Sequence, residues 1–182
     1  MNALAATRHW LEHVVIGLNL CPFAKAVHLK EQIRWIESAA RDAEGLLGDL
    51  VRELQYLAAA EPEQVETTLL VHPHVLNDFL DYNDFLDVAD SAVEQLGLVG
   101  VLQVASFHPD YRFEGTESDD AGNLSNRSPY PTLHLLREAS IDHAVAAFPE
   151  ASTIYERNIE TLERLGADRW RALMTVPGDV AA

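Results

Sequence analysis

Strand-like runs separated by long amphipathic stretches constrain this chain more than any other feature. Glu31–Glu37 alternates Ile33 and Trp35 against Gln32 and Arg34, the pattern of a half-exposed strand. Thr67–Val71 and Gly100–Phe107 are apolar enough to read as interior strands. Between the first pair, Ala39–Ala60 sets Leu46, Leu47, Leu50, Leu54 and Leu57 on one side of a helix, with Ser38 as its N-cap. Between the second pair, a helix capped by Asn77 or Asp78 runs to about Leu96 and turns Phe79, Tyr82, Leu86, Ala89 and Val93 inward. This alternation predicts an α/β chain: a single-domain layered fold with a small, partly parallel sheet of about four strands and flanking helices. The first three strands run parallel through right-handed crossovers, and a fourth, Thr132–Leu136, pairs in either direction. A two-layer α+β sandwich is the alternative.

The flanks are helical. Leu4, Leu11, Val14, Val15 and Leu18 share one side of a helix over residues 4 to 18. Gly17, Asn19 and Pro22 then end it and open a short second helix, with Pro22 at its first position and Cys21 at its N-cap. After the fourth strand, Ser140 starts a short helix ending near Phe148–Pro149. Ser152 caps a last helix, Thr153–Leu165, which Gly166 terminates. Residues 1–176 form the domain and 177–182 a frayed tail.

Composition narrows the function classes. No apolar run approaches the roughly 20 residues that cross a bilayer, and the first residues lack the pattern of a secretory signal. One cysteine cannot form an internal disulfide, which fits a reducing cytoplasm. A formal net charge of −16 repels phosphate backbones and anionic lipid, so neither nucleic acid nor membrane is an expected partner. Five aspartates recur every third residue from Asp78 to Asp90, but without the glycine and glutamate of a calcium loop they read as a solvated face.

The candidate site lies beyond the strand ends, where open α/β sheets bind ligands. Two apolar strands end in histidine, at His72 and His108, and a proline after each biases it to extended geometry. Asp110 follows, then a long segment to Pro131 that mixes Tyr111, Phe113 and Tyr130 with Arg112 and Arg127. Loops of that length in compact domains are usually functional or disordered. Imidazole with carboxylate suits general acid–base work or a divalent metal held by His72, His108 and Asp110. His134 is either a further catalytic group or a hydrogen-bonded core histidine. Lys25, Asn126, Arg127, Tyr130 and Arg137 are candidates to grip a small polar or anionic molecule, since arginine forks suit carboxylate or phosphate. At its helix start Cys21 is either an activated nucleophile, with Lys25 one turn on, or a small buried apolar residue.

Three stretches together, Leu18–Ala24, Val101–Tyr111 and Asn126–Thr132, resemble the bacterial proteins of domain-of-unknown-function family 1415 over nearly the whole chain. The resemblance implies a soluble bacterial protein and no activity, so no catalytic residue is carried over from it. Two functions follow from the residues themselves. One is an enzyme acting on a small polar or anionic molecule through the strand-end His/Asp site. The other is a non-catalytic ligand-binding or protein-interaction module.

Overall fold

The structure, a computed structural model, describes residues 2–147 and 153–176. The helix end near Phe148–Pro149, the cap at Ser152 and the tail after Pro177 lie outside the described residues. In chain order the elements are α1 (Ala3–Trp10), a π-helical segment (Leu11–Ile16), α2 (Ala24–Leu29), β1 (Ile33–Glu37), α3 (Ala43–Ala59), β2 (Thr67–Val71), α4 (Phe79–Gln95) and β3 (Leu102–Phe107). A 3-10 turn (Ala121–Asn126), β4 (Thr132–Arg137), α5 (Glu138–Ala147), α6 (Ile154–Leu165) and α7 (Ala167–Met174) follow.

The four strands form one mixed sheet in the order β1-β2-β4-β3. β1 and β2 are parallel neighbours, and β4 runs antiparallel to both β2 and β3. β2 and β3 therefore point the same way with β4 between them. The long loop makes this possible: it returns the chain from the end of β3 and inserts β4 against the edge of β2.

Helices cover both faces, because strand residues on each side are apolar. On one face Leu70, Leu102, Leu133 and Leu135 pack with Leu46, Leu50, Leu54 and Leu57 of α3 and with Tyr82, Phe85, Ala89 and Val93 of α4. On the other, Trp10, Leu11, Val14 and Val15 pack with Leu20, Leu124 and Leu162, and with Ile33, Trp35 and Phe107 from the sheet. Glu53 is buried on the α3 side because its carboxylate takes two hydrogen bonds from the Arg34 guanidinium, at 2.6 and 3.2 Å.

Several local expectations are corrected. The N-cap of α3 is Asp42, whose side chain accepts from Gly45 N–H; Ser38 instead donates to the Asp49 carboxylate. The N-cap of α2 is Phe23, so Cys21 lies before the helix and its carbonyl accepts the Ala24 N–H at 3.3 Å. α5 starts at Glu138, directly after β4. The first helix is α-helical only to Trp10. Beyond it bonds span five residues, as from Gly17 N–H to Glu12 O, 3.1 Å. Glycine is required at 17, since a Cβ there would lie 2.3 Å from His13 O. Asp78 caps α4, accepting from Leu80 and Asp81 N–H.

Tyr82 ties the layers together. Its hydroxyl accepts from Phe107 N–H at 3.2 Å and donates to Thr132 O at 2.9 Å, joining α4 to the ends of β3 and β4. Burial pushes the phenol well above its ordinary pKa, so it stays a donor. Tyr82→Phe keeps the ring packing but strands a buried donor and a buried acceptor. We expect an unchanged far-UV spectrum and a urea stability lower by about 1–3 kcal/mol. An unchanged midpoint would show that the hydroxyl does not bridge the strands.

Candidate functional site

His72 and His108 come to the same edge of the sheet, because Val71 and Phe107 both oppose Thr132 across β4. Tyr82 lies between them, 5.6 Å from His72 and 5.0 Å from His108 between ring centroids. Both histidines are fully buried. The hydrogen bonds assign each proton. Val75 O can only accept, so His72 donates to it from Nδ1 at 3.0 Å. Leu76 O accepts from His108 Nε2 at 3.2 Å, and the His108 Nδ1 lone pair accepts from Asp110 N–H at 3.0 Å. The two imidazoles thus donate to consecutive carbonyls of one turn, the turn that delivers α4. Leu76 adopts φ +56°, a conformation L side chains rarely take, and the bond from His108 helps to hold it there.

This geometry leaves little capacity for chemistry at the strand ends. Both nitrogens of His108 are engaged. Asp110 reaches the ring through its amide, and its exposed carboxylate makes no hydrogen bond to the imidazole among the described residues. The expected metal set of His72, His108 and Asp110 does not fit as it stands, since a ligating histidine must offer a free lone pair and His108 has none. No three His, Cys, Asp or Glu side chains converge on one ion position among the described residues. His72 Nε2 is buried without a hydrogen-bond partner among the described residues.

The loop beyond is ordered by its own polar groups. Arg127 donates from Nε to Tyr111 O at 3.1 Å and from Nη2 to Ser118 O at 2.7 Å. Asn126 donates to Ser106 O and accepts His108 N–H on its carbonyl. The Tyr130 carbonyl accepts from the hydroxyls of Ser128 and Thr132. Asn123, which sequence reading passed over, is the buried centre: Oδ1 accepts from Phe113 N–H and the Thr116 hydroxyl, and Nδ2 donates to Glu117 O. Its position inside a polar, turn-rich run hid it.

The remaining candidates are elsewhere. Arg137, at the opposite end of the strands, donates to the carbonyls of Leu57, Ala60 and Val65 and so closes the C-terminus of α3. His134 sits mid-strand. The Thr67 hydroxyl spends its proton on Leu135 O, so it accepts from His134 Nε2–H at 2.8 Å. Cys21 packs at the margin of the Trp10 cluster, and Lys25 is exposed on α2.

A cleft that no sequence motif announced lies between α1, the π segment, α2 and β1. Its volume is about 500 Å³, and Arg8, Glu12, His28, Glu31 and Trp35 line it. The Arg8 guanidinium lies 4.5 Å above the Trp35 ring, and His28 Nε2 lies 3.4 Å from the Glu12 carboxylate. A second cleft, of about 480 Å³, lies on the opposite face of β1, with Glu37, Asp49, Arg52 and Glu53 on its walls.

The sequence profile of a protein of unknown function, DUF1415, matches residues 2–172. The chain belongs to that family. No curated protein and no solved structure matches it. The match spans every described strand, both clefts and the strand-end histidines. No helix among the described residues is long and apolar enough to cross a membrane.

The neutral histidines make stability pH-dependent. Burial pushes His72 and His134 down to about 4, and lowers His108 as well. The unfolded chain binds these protons near pH 6.5 while the native chain refuses them. Stability is therefore whole above about pH 6.5, falls as pH drops toward 4, and levels off below. For His72 alone the loss is on the order of 3 kcal/mol. Urea midpoints from pH 7.5 to 4 should show this decline, reduced in His72→Asn. A flat profile to pH 4 would contradict buried neutral imidazoles.

Proposed function

We propose that this chain is a ligand-binding module without chemistry of its own at the strand ends, and that its ligand lies in the Trp35 cleft. The observation that carries this reading is where free polar capacity is found. The groups that sequence reading placed in a catalytic or gripping role (His108, Asn126, Arg127, Arg137) use their hydrogen bonds on the protein's own carbonyls and amides. The cleft instead joins an aromatic face, a guanidinium and an imidazole–carboxylate pair around one volume. Concave sites where a few polar groups converge are where small ligands are held. A π-helical segment forms part of the wall, and these rare segments often occur at functional sites.

The strand-end enzyme is the weaker reading, because a general base needs an imidazole nitrogen able to take a proton, and burial with engaged nitrogens denies His108 that role. The test is equilibrium dialysis of the purified chain against deproteinised cell extract and against a proteolytic digest of cell protein, with retained compounds identified by mass. We expect retention of a polar compound that Trp35→Ala or Arg8→Ala abolishes and His108→Asn leaves in place in the folded fraction. Retention that survives both cleft substitutions, or none at all, would refute the cleft as the site.

A further inference from the structure

β1 is an edge strand with an open side. Gln32 O accepts from Glu66 N–H and Ser38 N–H donates to Val71 O, so the even-numbered residues face β2. In a parallel ladder the alternate residues then turn both backbone groups away. For β1 these are Ile33, Trp35 and Glu37, and among the described residues no hydrogen bond reaches their N–H or C=O groups. Apart from β2, the strand packs chiefly against α1 on one face. A row of unpaired donors and acceptors of this kind is a template for another strand.

The two clefts flank this row on opposite faces. Successive side chains of an extended segment point to opposite faces, so a strand added to β1 would send alternate side chains toward the Trp35 cleft and toward the Asp49 cleft. The charge of the walls selects the segment. Glu12 and Glu53 are paired with His28 and Arg34, Asp49 with Arg52, and the Arg8 guanidinium lies over Trp35, whereas Glu31, two residues before the open row, and Glu37, its last member, have no ion-pair partner among the described residues. The chain's net charge of −16 adds a field that draws in cations and opposes a second copy of itself.

Resting on the cleft reading above, we propose that the ligand is an extended, lysine- or arginine-bearing peptide segment of a partner protein, which adds to β1 as a fifth strand and seats a cationic side chain beside Glu31 in the Trp35 cleft. The probe is a seven-residue peptide alternating valine with lysine, capped at both ends. Its controls are a glutamate-for-lysine peptide and a form N-methylated on the amides that would face β1. Amide hydrogen exchange of the intact chain is followed residue by residue. The lysine peptide should slow exchange at Ile33, Trp35 and Glu37 at least tenfold, while Arg34 and Ile36, already bonded to β2, stay unchanged. Both control peptides should bind at least tenfold more weakly, as should Glu37→Pro, which removes one outward N–H at an edge position that tolerates proline.

The proposal is overturned if the lysine peptide gives no protection, if the N-methylated form binds as well, or if those amides are already protected in a dimer without peptide. If extract compounds are retained through Trp35 while the edge amides ignore the peptide, strand addition fails and the cleft reading stands. If neither is seen, both fail.

Discussion

The turn from His72 to Asp78 carries much of this architecture, and it is held by two imidazoles arriving from different strands. His72 reaches back to Val75 O, and His108 crosses from the end of β3 to Leu76 O. Between the rings Tyr82 bonds β3 and β4 through one hydroxyl. α4 can leave the sheet in its observed direction because this turn is fixed, and β4 can lie between β2 and β3 because its first residue is pinned to α4. These bonds are buried or part-buried, so losing one partner costs more here than the same loss would at the surface. The arrangement also demands that the rings stay neutral, which links the fold to pH.

Polar residues at strand ends invite a catalytic reading, and here the same residues answer a structural need. A segment running from His108 to Pro131 has many backbone groups to satisfy with no ladder to satisfy them. Asn123, Asn126 and Arg127 do so from within the loop, and the aromatic rings of Tyr111, Phe113 and Tyr155 pack edge to face along it. Hydrogen bonds spent this way are not available to a ligand. What is left open lies at the other margin of the sheet, beside β1.

Much of this was legible in the sequence. The apolar run Thr67–Val71 and the leucine spacing of α3 reveal strand and helix because burial on two faces and on one face leave different periods. Asp78 could be read as a cap because a carboxylate before an apolar-periodic run has one obvious use. The placing of β4 was not legible, since an antiparallel insertion depends on how a long loop returns and not on any local pattern. Nor was the π segment, because Leu11–Ile16 has ordinary helical composition. The cleft was invisible for a related reason: Arg8, His28 and Trp35 lie on three separate elements, and no local pattern shows that the fold joins them. Cys21 drew attention through its neighbour Pro22, but the helix begins two residues later than that pair suggests.

The claim on which the rest depends is that the strand-end histidines are neutral struts with assigned protons. Long-range nitrogen–proton correlation spectra of the imidazole rings at neutral pH test it directly. The structure predicts His72 protonated on Nδ1 and His108 protonated on Nε2, both unchanged when pH is lowered from 7.5 to 6. A His108 ring protonated on Nδ1, or one titrating near the ordinary value of about 6.5, would contradict it and return His108 to the list of groups able to move a proton.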